Sequence, residues 1–134
     1  MRNLVFTRFL DSAMSQAERD LKVAEDLMRD ESFEWSCFVA QQATEKAVKA
    51  VFQKLNAVAW GHSIFDLMRT LSRRVAVDEK DLNCARSLDK YYILARYPNG
   101  FESGSPYEYF TRGDAEDAIL CGRRIIEFCK GILA

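Results

Sequence analysis

Both prolines of this chain, Pro98 and Pro106, fall in one short stretch, and elsewhere nothing forces a break in the backbone. Proline removes a backbone donor and clashes with the preceding helical turn, so its scarcity leaves helix available almost everywhere. Hydrophobic periodicity then decides which segments use it. Phe6, Leu10, Ala13, Ala17, Leu21, Ala24 and Met28 recur at steps of four and three, which draws one apolar stripe along a first helix. The RDESF run that follows reads as a short turn.

The next segment, about Glu34 to Asn56, contains no glycine or proline and is rich in Ala, Lys, Gln and Glu, all strong helix formers. Ala40, Ala43, Ala47 and Ala50 form a strip of small side chains that lets another helix come close. Gln42, Glu45, Lys46, Lys49 and Gln53 form a narrow polar strip on another face, and Trp35 and Phe38 supply bulk. A helix with these three faces belongs at the centre of a bundle.

Three shorter signals complete the pattern. Ser63 and Asp66 have capping-box spacing and open a short helix to about Arg74. Asp78 to Asp81 gives an acidic start to a fourth helix, whose apolar side is Leu82, Ala85, Leu88 and Tyr92. Pro98 disfavours helical geometry at Tyr97, so this helix should end near Arg96. Thr111 and Asp114 repeat the capping-box spacing ahead of a core stripe of Ala115, Ala118, Ile119, Gly122, Ile125, Ile126, Cys129 and Ile132. The expected fold class is all-α: a four- to five-helix up-and-down antiparallel bundle with no strands.

At 134 residues the chain fits one domain, and 49% hydrophobic residues suffice for a core. A net charge of -1 gives no global basic footprint for nucleic acid. Arg73-Arg74 and Arg123-Arg124 read as solvated helix faces. Cys37, Cys84, Cys121 and Cys129 include no C-x-x-C pair, and His62 is the single histidine, so no metal site is expected. The cysteines read instead as reduced, mostly buried thiols of a cytoplasmic protein. No apolar run is long enough for a membrane helix, and the N-terminus lacks the apolar core of a signal peptide. No cofactor is expected.

The candidate site gathers around the stretch YYILARYPNGFESGSPYEYF. Arg96 can interact with a helix C-terminus, or it can clamp a phosphate with two parallel hydrogen bonds. Tyr91, Tyr92, Tyr97, Tyr107 and Tyr109 are all five tyrosines of the chain. Tyr97 is open to stacking on a base. Tyr92 fits the core stripe, and Tyr107 and Tyr109 suit either pinning the loop or flanking a ligand. Lys46 and Lys49, with Gln42 and Glu45, read either as a solvated helix face with internal ion pairs or as a polar groove or dimer surface facing Arg96. His62 reads as a loop histidine ahead of an N-cap serine, and Asp66 as a cap.

The blocks WSCFVAQQATEKAVKAVF, GHSIFDLM, DKYYILARYPNG and PYEYFTRGDAEDAI, in this order, resemble the HEPN domain family across nearly the whole chain. The resemblance implies an up-and-down bundle, commonly a homodimer, often encoded beside a small nucleotidyltransferase in toxin–antitoxin-like pairs. Some members are metal-independent ribonucleases that place a histidine after an arginine with four to six residues between the two. There the histidine handles protons and the arginine steadies phosphate charge. This chain has Arg96 but Phe101, Glu102 and Ser103 around the positions where that histidine would stand. The expectation is therefore a non-catalytic module that binds a nucleotide or a nucleotidyltransferase partner. The alternative is an atypical ribonuclease, acting on RNA without the usual histidine. The site residues expected are Arg96, Tyr97, Lys46, Lys49, Gln42, Tyr107 and Tyr109.

Overall fold

The computed structural model describes residues 4–95 and 104–134. Five helices account for most of them: α1 (Leu4–Arg29), α2 (Phe33–Lys54), α3 (Ile64–Leu71), α4 (Glu79–Leu94) and α5 (Arg112–Leu133). A 3-10 turn, Pro106–Glu108, precedes α5, and no strand occurs among the described residues. The all-α expectation holds, with α3 as a short appendage to the four long helices.

Cross-helix pairs fix the directions. Ser36 donates to the Ala24 carbonyl (2.7 Å) and Lys46 pairs with Asp20, so α1 and α2 run antiparallel. Glu25 pairs with Arg123 and Glu18 with Lys130, which sets α1 antiparallel to α5. Cys84 meets Cys121 and Asp81 meets Arg124, which sets α4 antiparallel to α5. The arginine pair Arg123-Arg124 therefore bolts α5 to two neighbours instead of merely facing solvent.

The small-residue strip does what its spacing predicts. Ala40, Ala43 and Ala47 are fully buried, and α2 packs directly against α5 as well as against α1. The opposing residue on α5 is Gly122. A Cβ there would come within 3.0 Å of Thr44 Oγ1 and 3.2 Å of Leu21 Cδ1. Thr44 spends its hydroxyl on the Ala40 carbonyl (2.8 Å), so the seam's side-chain polar group is satisfied internally.

The core stripes of α1 and α5 are close to the expected ones, with differences at their ends. Leu10, Ala17, Leu21 and Ala24 are buried on α1 with Met14, but Phe6 is exposed because the helix overshoots the bundle. On α5 Leu133 is buried while Ile132 packs only partly.

Two helices end with the chain turning through left-handed backbone at residues that are not glycine. Glu31 has φ +65° and Asn56 has φ +56°. In each case the next residue donates to a carbonyl five positions back: Ser32 to Leu27 (2.9 Å) and Ala57 to Phe52 (2.8 Å). This is the Schellman closure, which satisfies carbonyls the helix would otherwise leave open.

The cysteine expectation requires correction. Cys84 on α4 and Cys121 on α5 form a disulfide with a Cα–Cα separation of 4.9 Å. Cysteines 37 positions apart on different helices carry no local spacing signal, so only the antiparallel packing brings them together. Cys37 and Cys129 are buried free thiols. Burial pushes the Cys129 thiol up to about 12 and Cys37 higher still, so neither forms a thiolate readily.

Candidate functional site

The polar strip of α2 divides between two neighbours. Lys46 turns toward α1, where it pairs with Asp20, so it does not join the groove expected of it. Gln41, Glu45 and Lys49 turn the other way, toward the loop before α3 and the end of α4. Glu45 is only 8% exposed and Gln41 is fully buried. Burying a carboxylate is costly unless it is paired and hydrogen-bonded. Glu45 meets that condition three times. Gln41 Nε2 donates to Oε1 (3.2 Å), and Lys49 Nζ (3.0 Å) and His62 Nδ1 (3.0 Å) both reach Oε2.

Gln41 also donates to the backbone carbonyl of His62 (3.4 Å) and accepts from Gln42 Nε2 (2.6 Å). The loop is thereby held at its carbonyl as well as at its ring. The His62 ring lies parallel to Tyr92, with centroids 5.0 Å apart and planes at 15°. Tyr92, expected in the core stripe, is only partly buried and instead forms the wall behind this histidine.

Beside the ring, α4 contributes Asp89. Its carboxylate accepts from Ser63 Oγ (2.7 Å) and from the backbone N–H groups of Ile64 (2.7 Å) and Phe65 (3.2 Å). The expected capping box at Ser63 is thus only half formed within α3. Ser63 Oγ accepts from the Asp66 N–H (3.1 Å), but the answering carboxylate comes from another helix. Burial pushes the Asp89 carboxyl above its ordinary range, against the pull of its three donors. The box at Thr111 is complete: the Asp114 N–H donates to Thr111 Oγ1 (3.2 Å) and Asp114 accepts from the Thr111 N–H (2.9 Å).

His62, Ser63, Asp89 and Tyr92 line a small cleft of about 230 Å³. Larger grooves lie along α5, but their arginines are engaged, Arg123 with Glu25 and Arg124 with Asp81 and Asp78. The small cleft is lined by the loop before α3 and by α4, and its histidine is tied to Glu45 of α2, which is why the candidate site is placed there. Among the described residues no group of three His, Cys, Asp or Glu side chains is arranged to hold a metal ion.

The remaining expected site residues fall as follows. Lys49 and Gln42 belong to the cluster. Tyr107 and Tyr109 are exposed on the 3-10 turn, where the neighbouring Phe110 packs on Tyr91 of α4 with ring centroids 5.7 Å apart. Arg96 and Tyr97 lie outside the described residues. The fourth helix closes at Ala95, slightly earlier than Pro98 alone suggests. Glu45 stands in the predicted polar strip but not among the predicted site residues, and His62 and Tyr92 read from the sequence as structural. The missed signal is the lone histidine of a loop whose length lets it fold back onto the middle of α2.

Long antiparallel helices with a polar cluster between the second and fourth define an all-α helical-bundle domain. Residues 11–132 match the HEPN domain, and the chain belongs to that family. It is 30% identical over 129 residues to a Methanocaldococcus jannaschii protein named "Putative toxin MJ1304", covering 90% of this chain and 85% of that one. The crystal structure of TT1696 from Thermus thermophilus superposes with a TM-score of 0.88 at 36% identity, covering 92% of this chain and 97% of the other. ST0689, an archaeal HEPN homologue, gives 0.79 at 38% identity, covering 93% and 98%. A HEPN domain protein from Thermotoga maritima gives 0.75 at 38% identity, covering 91% and 97%.

Proposed function

We propose that this protein is a toxin-like HEPN module that binds a nucleotide or an RNA strand on the face between α2 and α4. The convergence of Glu45, Lys49, His62 and Tyr92 carries the reading. A fold could bury apolar residues at these positions at less cost, whereas this one ties a buried carboxylate and its lysine on α2 to an imidazole that lines the cleft beside a ring. A ring wall suits a base, and an ammonium at the edge suits phosphate. Arg96 and Tyr97, which follow α4 in the sequence, supply residue types suited to phosphate and to a base. The "toxin" in the name of the Methanocaldococcus relative supports the toxin-like part of the reading.

The protein works as a cytoplasmic homodimer alongside a small nucleotidyltransferase partner. Exposed Trp60, Val58 and Trp35 are apolar surface that association would cover. No helix among the described residues is long and apolar enough to cross a membrane.

The test is thermal unfolding with ATP, GTP and a short single-stranded RNA. A ligand held at 100 times its Kd stabilises the folded state by about 2.7 kcal/mol. A rise in Tm that disappears in Lys49→Ala is expected. No shift at millimolar nucleotide and micromolar RNA refutes the ligand site, and a monomer by light scattering refutes the dimer.

A further inference from the structure

The groove between α4 and α5 brings a covalent bond to open surface. We propose that Cys84 and Cys121 are an exchangeable dithiol–disulfide pair, opened and closed through Cys84 by a small carboxylate-bearing thiol of the glutathione class that docks in this groove. The inference stands apart from the ligand reading of the α2–α4 face.

The two sulfurs are not placed alike. Cys121 is 5% exposed, whereas Cys84 is only partly buried and lines a groove of about 450 Å³ with Lys80, Leu120, Arg123, Arg124 and Glu127. A small thiol entering there meets the Cys84 sulfur first. A crosslink that served stability alone would lose nothing by sealing both sulfurs in the core, where the free thiols Cys37 and Cys129 already lie.

The charges of the groove select what enters it. Arg123 is engaged by Glu25, and Arg124 by Asp78 and Asp81. The one carboxylate of the lining, Glu127, is drawn toward Lys130 (3.5 Å). Lys80 is exposed and pairs with no carboxylate among the described residues. It stands four positions before Cys84, on the same face of α4. An ammonium there attracts a carboxylate-bearing thiol, and it steadies the negative charge that passes between sulfurs during exchange. Exposed Leu120 offers an apolar wall to the carbon chain of the same molecule.

The exchange balances. The small thiolate bonds to Cys84 Sγ and the Cys84–Cys121 bond breaks. The Cys121 sulfur leaves with the electron pair and takes a proton from solvent. A second small thiolate bonds to the sulfur of the first, and the released Cys84 thiolate is protonated in turn. Two small thiols are thereby oxidised to their disulfide while the protein gains two thiols, and the reverse steps close the bond. Reduction leaves α4 tied to α5 by Arg124 with Asp78 and Asp81, so the bundle outlives the open bond.

The experiment follows reduction of the native full-length chain by glutathione, with thiols counted by alkylation and mass. Reduction faster than global unfolding in the same buffer, at a rate that rises with glutathione concentration, is expected. Reduction no faster than unfolding reveals a sealed crosslink and overturns the proposal. So does a chain that carries four thiols and keeps them in oxidised glutathione. Lys80→Gln should slow glutathione several-fold and leave uncharged 2-mercaptoethanol unaffected. Equal rates with wild type for both reagents, or equal slowing of both, overturns the docking role of the groove. Oxidised glutathione should add once to Cys121→Ser, at Cys84, and not to Cys84→Ser, with thermal melts verifying that each variant is folded. The opposite preference overturns entry through Cys84.

Discussion

The two sides of α2 solve opposite problems with one helix. Toward α5 it offers Ala40, Ala43, Thr44 and Ala47 to Gly122, and every polar atom there is satisfied within the seam. Toward α4 it offers Gln41, Glu45 and Lys49, and these lead outward to a histidine that meets solvent. The first side is closed and gains from closeness. The second is held open at the cost of burying a carboxylate. A helix that only filled a core would have no use for the second arrangement, so the contrast itself points to where function lies.

The contrast can be broken most severely by releasing α4, the helix that faces the open side, from α5. The link from Cys84 to Cys121 closes a long loop, and removing it should cost about 4 kcal/mol at most in the chain-entropy account. Chemical unfolding with and without reductant measures this. Thiol titration of the denatured chain should find two thiols before reduction and four after, matching free Cys37 and Cys129.

Gly122→Val attacks the seam directly. Its added carbons meet Thr44 and Leu21, and overpacking of this kind costs about 1–3 kcal/mol, read as a lower urea midpoint. Ligand binding by the folded fraction should persist. Glu45→Leu does the reverse. It makes the open side resemble the seam and leaves the Gln41 amide with the His62 carbonyl as its one remaining acceptor among the described residues, at about 1–2 kcal/mol. Half-buried Lys49 and exposed His62 can turn to water, so the fold survives while the RNA-induced Tm shift vanishes.

A subtler probe is pH. The Asp89 carboxyl is raised in the folded state, so the folded chain binds its proton more tightly than the unfolded chain. Its contribution to stability is therefore full below the ordinary carboxylate range and is lost as pH rises through the raised value. Urea melts across the acid range should show this slope in the wild type and lose it in Asp89→Asn.

The smallest expected effect is at the α1–α2 turn. Glu31 holds left-handed backbone that glycine adopts freely, so Glu31→Gly should raise stability by up to about 1 kcal/mol in the same melts.

The helices were legible because their signals are local. The stripe from Leu10 to Ala24, the alanine strip of α2 and the box at Thr111 each lie within a few turns of one segment. The site was legible only in part. Lys49 and Gln42 were visible as polar residues on a central helix, but whether a lysine faces α1 or α4 depends on where the neighbours sit, and Lys46 went to the other side. His62 lies 17 positions from Glu45, and Asp89 caps a helix 25 positions earlier in the chain. Neither distance leaves a trace in periodicity. The disulfide was hidden for the same reason.

Asp89 has one more consequence. The start of a helix is a natural berth for sulfate or phosphate, because its first N–H groups point outward unpaired. In this protein that berth already has a tenant supplied by α4. Inorganic anions added in crystallisation should therefore settle elsewhere on the surface, and any phosphate of a bound strand must be met by side chains rather than by the opening turn of α3.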